Sequence, residues 1–236
     1  MVTTPLDLTE LLSGIRAKRG YLLPHHGLMA ITAPALLDAY DAAYTAMALD
    51  DRVLSHHDRE FVWLAILIAT DEAIATHHIA KFKAAGGTDE EIEVILTVTA
   101  LALGFESYRF VNKNWLAHLP ACNPPAIYQR ALRSAARDVS MRLVHMAVAA
   151  VFVCKAGWDA LALQIVAAYE DGVPELDLAE AVSLTMFPGS VPHFVEAARV
   201  WRDLIVDGKV PASQSFREWA QLSGQGGFDE ASRAAR

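Results

Sequence analysis

The stretch Ser55-His56-His57-Asp58-Arg59-Glu60-Phe61-Val62-Trp63-Leu64-Ala65-Ile66-Leu67-Ile68-Ala69 decides the fold. Ser55 has the side chain of an N-cap, and Asp58 stands three residues on in capping-box position. From Phe61 onward the run is apolar on every side of a helix, and such a helix must be buried all round. What surrounds it should be helical too. The chain is 53% hydrophobic, mostly Ala, Leu, Val and Ile with few aromatics, a balance that favours packed helices over sheets.

Upstream, residues 6–19 have helical periodicity and stop at Gly20, and Pro34 opens a helix with Leu36, Leu37, Tyr40, Ala43 and Tyr44 as its apolar stripe. Downstream, Asp71-Glu72 reads as the start of a helix running to Ala85 and closed by Gly86-Gly87. Thr88-Asp89-Glu90-Glu91 starts another over 92–103, a further helix covers 106–116, and 120–125 reads as a loop. The pattern then recurs: a buried helix over 139–154, a helix over 158–169, a turn at Gly172-Val173-Pro174, and helices over 178–187 and 192–204. A shift of 86 residues sets Gly86 on Gly172, Ile79 on Ile165, Ile92 on Leu178 and Trp115 on Trp201, which predicts an internal duplication. The expected organisation is an N-terminal helix (1–22), a first repeat (23–119), a second, degenerate repeat (126–208) and a flexible tail (223–236).

A formal charge of −8 and no visible basic face argue against a nucleic-acid partner. The longest apolar runs, 61–70 and 146–154, are about half the roughly 18 residues of a membrane span, so no membrane partner is expected. The opening Met1-Val2-Thr3-Thr4-Pro5 lacks a basic region followed by an apolar one, and Cys122 and Cys154 have no CxxC spacing, so a cytoplasmic protein with two free thiols is expected.

Nine histidines include the pairs His25-His26, His56-His57 and His77-His78. Neighbours on a helix point about 100° apart and cannot chelate one ion from one face; no His spacing of the HExxH kind occurs, so no metal is expected. On the helical net of 71–85, Asp71, Ile74, Ala75, His78, Phe82 and Ala85 share a face that is otherwise apolar, with His77 on its flank. That arrangement turns an imidazole and a carboxylate toward the core, where proton transfer is plausible chemistry; a core histidine bonded to a backbone carbonyl fits the same spacing.

Arg59-Glu60-Phe61-Val62, Thr76-His77-His78 and Ala84-Ala85-Gly86-Gly87-Thr88-Asp89-Glu90-Glu91-Ile92 together resemble the carboxymuconolactone decarboxylase and alkylhydroperoxidase-D-like family, as do Pro24-His25-His26-Gly27 and Pro34-Ala35-Leu36-Leu37 upstream. The resemblance covers about 20–116 and, more weakly, 138–206. It implies an all-α alkylhydroperoxidase-D-like fold in two tandem repeats, with Glu60 and His78 matching the family's proton-relay carboxylate and histidine. The sequence departs from the peroxidase branch, because Asp71 and Ile74 stand where the two cysteines would be. Without a thiolate and its resolving partner, that redox cycle has no nucleophile. In the second copy, Gln164 falls at the histidine's place and Arg142 at the glutamate's.

The expected chemistry is cofactor-independent lysis of a small molecule, a decarboxylation of a cyclic organic acid or lactone whose own conjugated system takes up the electrons. His78 would be the general acid, Glu60 its orienting partner and Asp71 a second acid or base. His77, Arg59 and Arg109 are the candidate substrate-binding residues, with Lys81 as another possible cation. The same residues suit a hydrolase, dehydratase or isomerase of a small carbonyl compound, and a non-catalytic relative would hold a small ligand in the same place. The resemblance also implies a homo-oligomer, a trimer or dimer of duplicated chains.

Overall fold

The computed structural model describes residues 5–225; the tail expected over 223–236 lies almost wholly outside that range. Among the described residues there is no strand. Helices α1 (Pro5–Arg19), α2 (Pro24–Thr32) and α3 (Pro34–Tyr44) form an N-terminal layer, extended by a π turn over Thr45–Leu49. Then come α4 (His56–Thr70), α5 (His77–Ala84), α6 (Asp89–Leu103), α7 (Phe105–Asn114) and α8 (Pro124–Ala136). The rest is α9 (Met141–Cys154), α10 (Trp158–Glu170), α11 (Glu175–Ser183) with a 3₁₀ turn over Leu184–Met186, α12 (Val191–Val206) and α13 (Gln214–Ala220). The architecture is the expected all-α, alkylhydroperoxidase-D-like helical fold.

The two all-apolar helices pack against each other at the centre. α4 buries Phe61 through Ile66 and α9 buries Leu143 through Val153, so over these stretches neither keeps a solvent face. α5, α6, α10 and α11 pack around them. A separate small core of Ile15, Ala30 and Leu37 ties α1, α2 and α3 together. α6 and α7 together, Asp89–Asn114, are long and apolar enough to cross a membrane by length and composition; within the fold, α6 buries Val94, Ile95, Val98 and Ala102 against its neighbours.

Caps set the boundaries. Ser55 Oγ accepts from Asp58 N–H at 3.1 Å, and Thr88 and Glu91 close a reciprocal capping box. The expected helix start at Asp71 is instead a helix end. Asp71 takes a left-handed backbone (φ 57°) and Glu72 N–H bonds back to Leu67 C=O at 3.0 Å, a Schellman-type closure of α4. Aspartate tolerates that conformation better than most residues. α5 therefore begins only at His77. The segment 120–125, read as loop, contains the start of α8: Asn123 Oδ1 accepts from Ala126 N–H, and Pro124 fills the first helical position, where no N–H is needed.

The α5–α6 turn depends on glycine. Gly86 has φ 94°, and Gly87 sits against the buried Phe82 ring, so a β-carbon there would come within 2.4 Å of it. Phe82 is fully enclosed, with His57 5.1 Å away, and has nowhere to move. Gly87→Ala is expected to destabilise the fold by about 1–3 kcal/mol, as overpacked cores do, read as a lower urea midpoint with unchanged m-value.

Candidate functional site

Glu60 enters the core one turn into α4, and His78 enters it from the first turn of α5. Their side chains meet: His78 Nδ1 lies 2.6 Å from Glu60 Oε2, both groups almost fully buried. The His78 ring is stacked on Trp63 (centroids 4.7 Å apart) and flanked by His77 at 4.3 Å. The ring is therefore held on both sides, and its other nitrogen, Nε2, is left for a third group.

His78 lines a cleft of about 200 Å³ that the N-terminal layer closes. Tyr21, Leu23 and His25 come from the α1–α2 connection and α2, Tyr40 and Tyr44 from α3, Trp63 and Leu67 from α4, and Phe187 and Pro188 from the far half of the chain. Tyr21 stacks on His77 at 3.8 Å and donates to Tyr44 Oη at 2.8 Å, while Phe187 packs against Tyr40. Arg19 braces this roof, buried beneath Tyr44, donating to Asp41 and to His26 Nε2. Three buried nitrogens of cleft residues have no hydrogen-bond partner: His25 Nε2, His77 Nε2 and Trp63 Nε1. Buried polar atoms are normally paired, so an orphaned set around one cleft marks a place where a ligand's oxygens would fit.

The electrostatics keep the surrounding imidazoles neutral. Burial first, then the charges of His78, Lys81 and Arg19, push the His77 pKa down to about 3. Burial, His25 and Arg19 push His26 down to about 4 against the opposing pull of Asp41. With folded values below the ordinary 6.5, the unfolded chain binds these protons first as pH falls. Their stabilising contribution is thus complete above about pH 6.5 and lost as pH drops toward 4 and then 3. A melting temperature that falls over this window, and falls less steeply in His77→Gln, is the expected result; an equal slope in that variant would contradict it.

On the opposite side of the dyad, Glu60 lines a second cavity of about 330 Å³ with Lys81, His56, Ala48, Leu49, Ala84 and Ala85. The remaining expected site residues lie elsewhere. Asp71 is exposed at the end of α4, in a groove with Leu64, Ile68 and Ile79, because the turn that ends α4 takes it off the His78 face. Arg59 is buried but bound through Nε to Glu180 at 3.2 Å. Arg109 is exposed and donates to Glu106 at 2.7 Å. Of the substrate-binding candidates, only His77 reaches the cleft; the tyrosines, Trp63 and His25 were not among them.

In the second half, Ser140 caps α9 as Ser55 caps α4, 85 residues earlier. The same spacing carries Glu60 to His145, not to Arg142, which instead bridges Asp58 and Asp177. Gln164, 86 residues beyond His78, bonds to His145 Nδ1 at 2.7 Å, and His145 Nε2 meets Asp171 at 2.7 Å. The thiols are free, and burial pushes Cys154 up to about 12 despite Lys155, so it stays protonated near neutrality. Among the described residues, no group of three or more His, Cys, Asp or Glu is arranged to hold a metal ion.

The described chain is thus an all-α fold with a buried carboxylate–imidazole pair spanning two consecutive helices. Residues 34–113, from α3 to nearly the end of α7, match the model of the carboxymuconolactone decarboxylase family. No curated protein and no solved structure matches the chain.

Proposed function

We propose that this protein is a cofactor-independent lyase that decarboxylates a small cyclic organic acid or lactone. The observation that carries the reading is the 2.6 Å contact between Glu60 and His78, made by a ring that also lines a cleft. In this mechanism the substrate's carboxylate leaves as CO₂ and its electron pair moves into the substrate's own conjugated carbonyl system. His78 then delivers a proton from Nε2 to the carbon that carried the carboxylate, while Glu60 holds Nδ1–H and steadies the ring as it exchanges protons.

Neutral donors suit this chemistry better than a fixed cation. His25, His77 and Trp63, which line the cleft and whose ring nitrogens have no partner, can orient the substrate's oxygens without gripping its carboxylate so tightly that loss of CO₂ becomes uphill. Only interactions stronger in the transition state than in the ground state speed the step. At about 200 Å³, the cleft is smaller than the roughly 300–1,000 Å³ of sites for drug-sized ligands. That size favours a small acid.

We further infer that the second half is a duplicate whose relay has been lost. The matching caps at Ser55 and Ser140, the left-handed helix ends at Asp71 and Ala156, and the positive-φ turns at Gly86 and Gly172 support this. Self-association fits the exposed Leu96, Leu103 and Phe110 of α6 and α7.

The test is a screen for CO₂ release from unsaturated lactone carboxylates and cyclic keto acids, run in deuterated water. Release by the purified chain without added cofactor, with one deuterium placed on the carbon that carried the carboxylate, supports the proposal. Turnover that places no solvent hydrogen on that carbon overturns it.

A further inference from the structure

The Glu60 side of the dyad holds a group that the proton relay does not use. Lys81 lies one turn beyond His78 on α5 and lines the cavity of about 330 Å³ whose other walls are chiefly Ala48, Leu49, Ala84 and Ala85. Its Nζ is buried and has no hydrogen-bond partner. The Tyr21 and Tyr44 rings offer only weak cation–π contact, with centroids 5.9 and 6.0 Å away. Glu60, the carboxylate on this wall, is already engaged by His78. A long side chain that ends buried, unpaired and facing a small cavity is poorly placed as a structural ammonium, which needs counter-charge or water.

The charge environment points the same way. Burial lowers the Lys81 pKa; Glu60 opposes this, and Arg19 and Arg59 reinforce it. A lysine desolvated beside other cations has a larger share of free amine near neutral pH, and free amine is the nucleophile of imine chemistry.

We propose that Lys81 is a nucleophilic amine that condenses with the carbonyl group of a small aldehyde or ketone held in the Glu60-lined cavity. The nitrogen lone pair attacks the carbonyl carbon and forms the C–N bond, while the C=O π pair moves to oxygen, which takes up a proton. The nitrogen loses its extra proton to give a carbinolamine. Protonation of the hydroxyl lets the C–O bond break and water depart, leaving the iminium C=N⁺. Glu60, on the same wall, is placed to relay these protons. An iminium draws electrons from the adjacent carbon, so a β-keto acid bound there would have its electron sink supplied by the protein. The inference shares Glu60 with the relay but does not rest on His78: adduct formation reads Lys81 alone, whereas decarboxylation of lactones reads His78.

The experiment incubates the full chain at neutral pH with acetone or pyruvate and sodium cyanoborohydride, followed by intact mass and peptide mapping. The expected result is a single reduced adduct on Lys81, lost in Lys81→Arg and retained in Lys83→Arg, whose amine lies two residues away and pairs with Asp89 at the surface. Should Lys81→Arg not fold, the peptide map of the unaltered chain decides. Absence of an adduct at Lys81, or labelling spread over surface lysines with Lys81 spared, overturns the proposal.

Discussion

Substituting His78 with glutamine will lower turnover of the decarboxylated substrate by about 100- to 10,000-fold, the range general acid catalysis contributes, while leaving the fold intact. Glutamine is the informative replacement because the fold already carries one in the matching place. Gln164 is fully buried and bonds to His145, so a carboxamide at this position fits between the central helix and its neighbour. In His78→Gln the amide can still donate to Glu60, so packing and the buried hydrogen bond survive. What is lost is the ring nitrogen that would deliver a proton to the substrate. Glu60→Gln should cost less, because the ring remains but its orientation and proton affinity change. The double variant should be no worse than about tenfold below the poorer single, since residues acting as one unit are not additive. The measurement is kcat/KM for the three variants with melting curves alongside. Near-normal turnover in a well-folded His78→Gln would remove the relay from the mechanism.

The parts of this molecule that were legible in the sequence are those in which the physics is local. α4 and α9 could be read because an all-apolar helix has one solution, burial on every side. Thr88 and Glu91 announce α6 through their own side chains. The errors came where one residue type serves two ends. Asp71 suits a helix start by charge and a helix end by its tolerance of positive φ, and the backbone chose the second. Pro124 and Pro125 look like loop residues yet occupy the one part of a helix where proline belongs. α13 carries too short a pattern to stand out. The dyad was legible because Glu60 and His78 match the relay residues of a known family pattern, although the separation between them is about one residue shorter than in that pattern. The cleft over it was not, because its walls come from Tyr21, Tyr40, Tyr44 and Phe187, which meet His77 and His78 only through tertiary packing. Setting Arg142 against Glu60 takes a shift of 82 residues, which neither the caps nor the later elements support. Ser55 and Ser140 stand 85 residues apart and His78 and Gln164 stand 86 apart, so the stretch between them is one residue longer in the second half, and the serine caps carry the signal that places His145 opposite Glu60.

Replacing Glu180 with alanine will destabilise the protein by about 3–5 kcal/mol, the cost of stranding a buried charge. Glu180 lies on α11, yet its carboxylate fastens the start of α4, more than a hundred residues earlier. Oε2 accepts from the N–H groups of Val53 and Leu54 at 2.7 and 2.9 Å, and Oε1 accepts from Arg59 Nε at 3.2 Å, with Arg52 3.9 Å away. Both Glu180 and Arg59 are buried, and Nη1 and Nη2 of Arg59 have no other partner. Alanine at 180 therefore leaves a guanidinium in the core with nothing opposite it and two backbone donors unpaired at the entrance to α4. Glu180→Gln keeps an acceptor for those donors and should fall between the two. If the loss comes from the stranded charge, Arg59→Met combined with Glu180→Leu should recover much of it, because a buried pair can be replaced by apolar side chains of similar volume at little net cost. Urea denaturation of the four proteins decides the matter. A loss below about 1 kcal/mol in Glu180→Ala would mean that Arg59 finds water or another acceptor. It would also mean that the segment before Ser55, which sets the start of α4 and so the approach of Glu60 to His78, is held by packing alone.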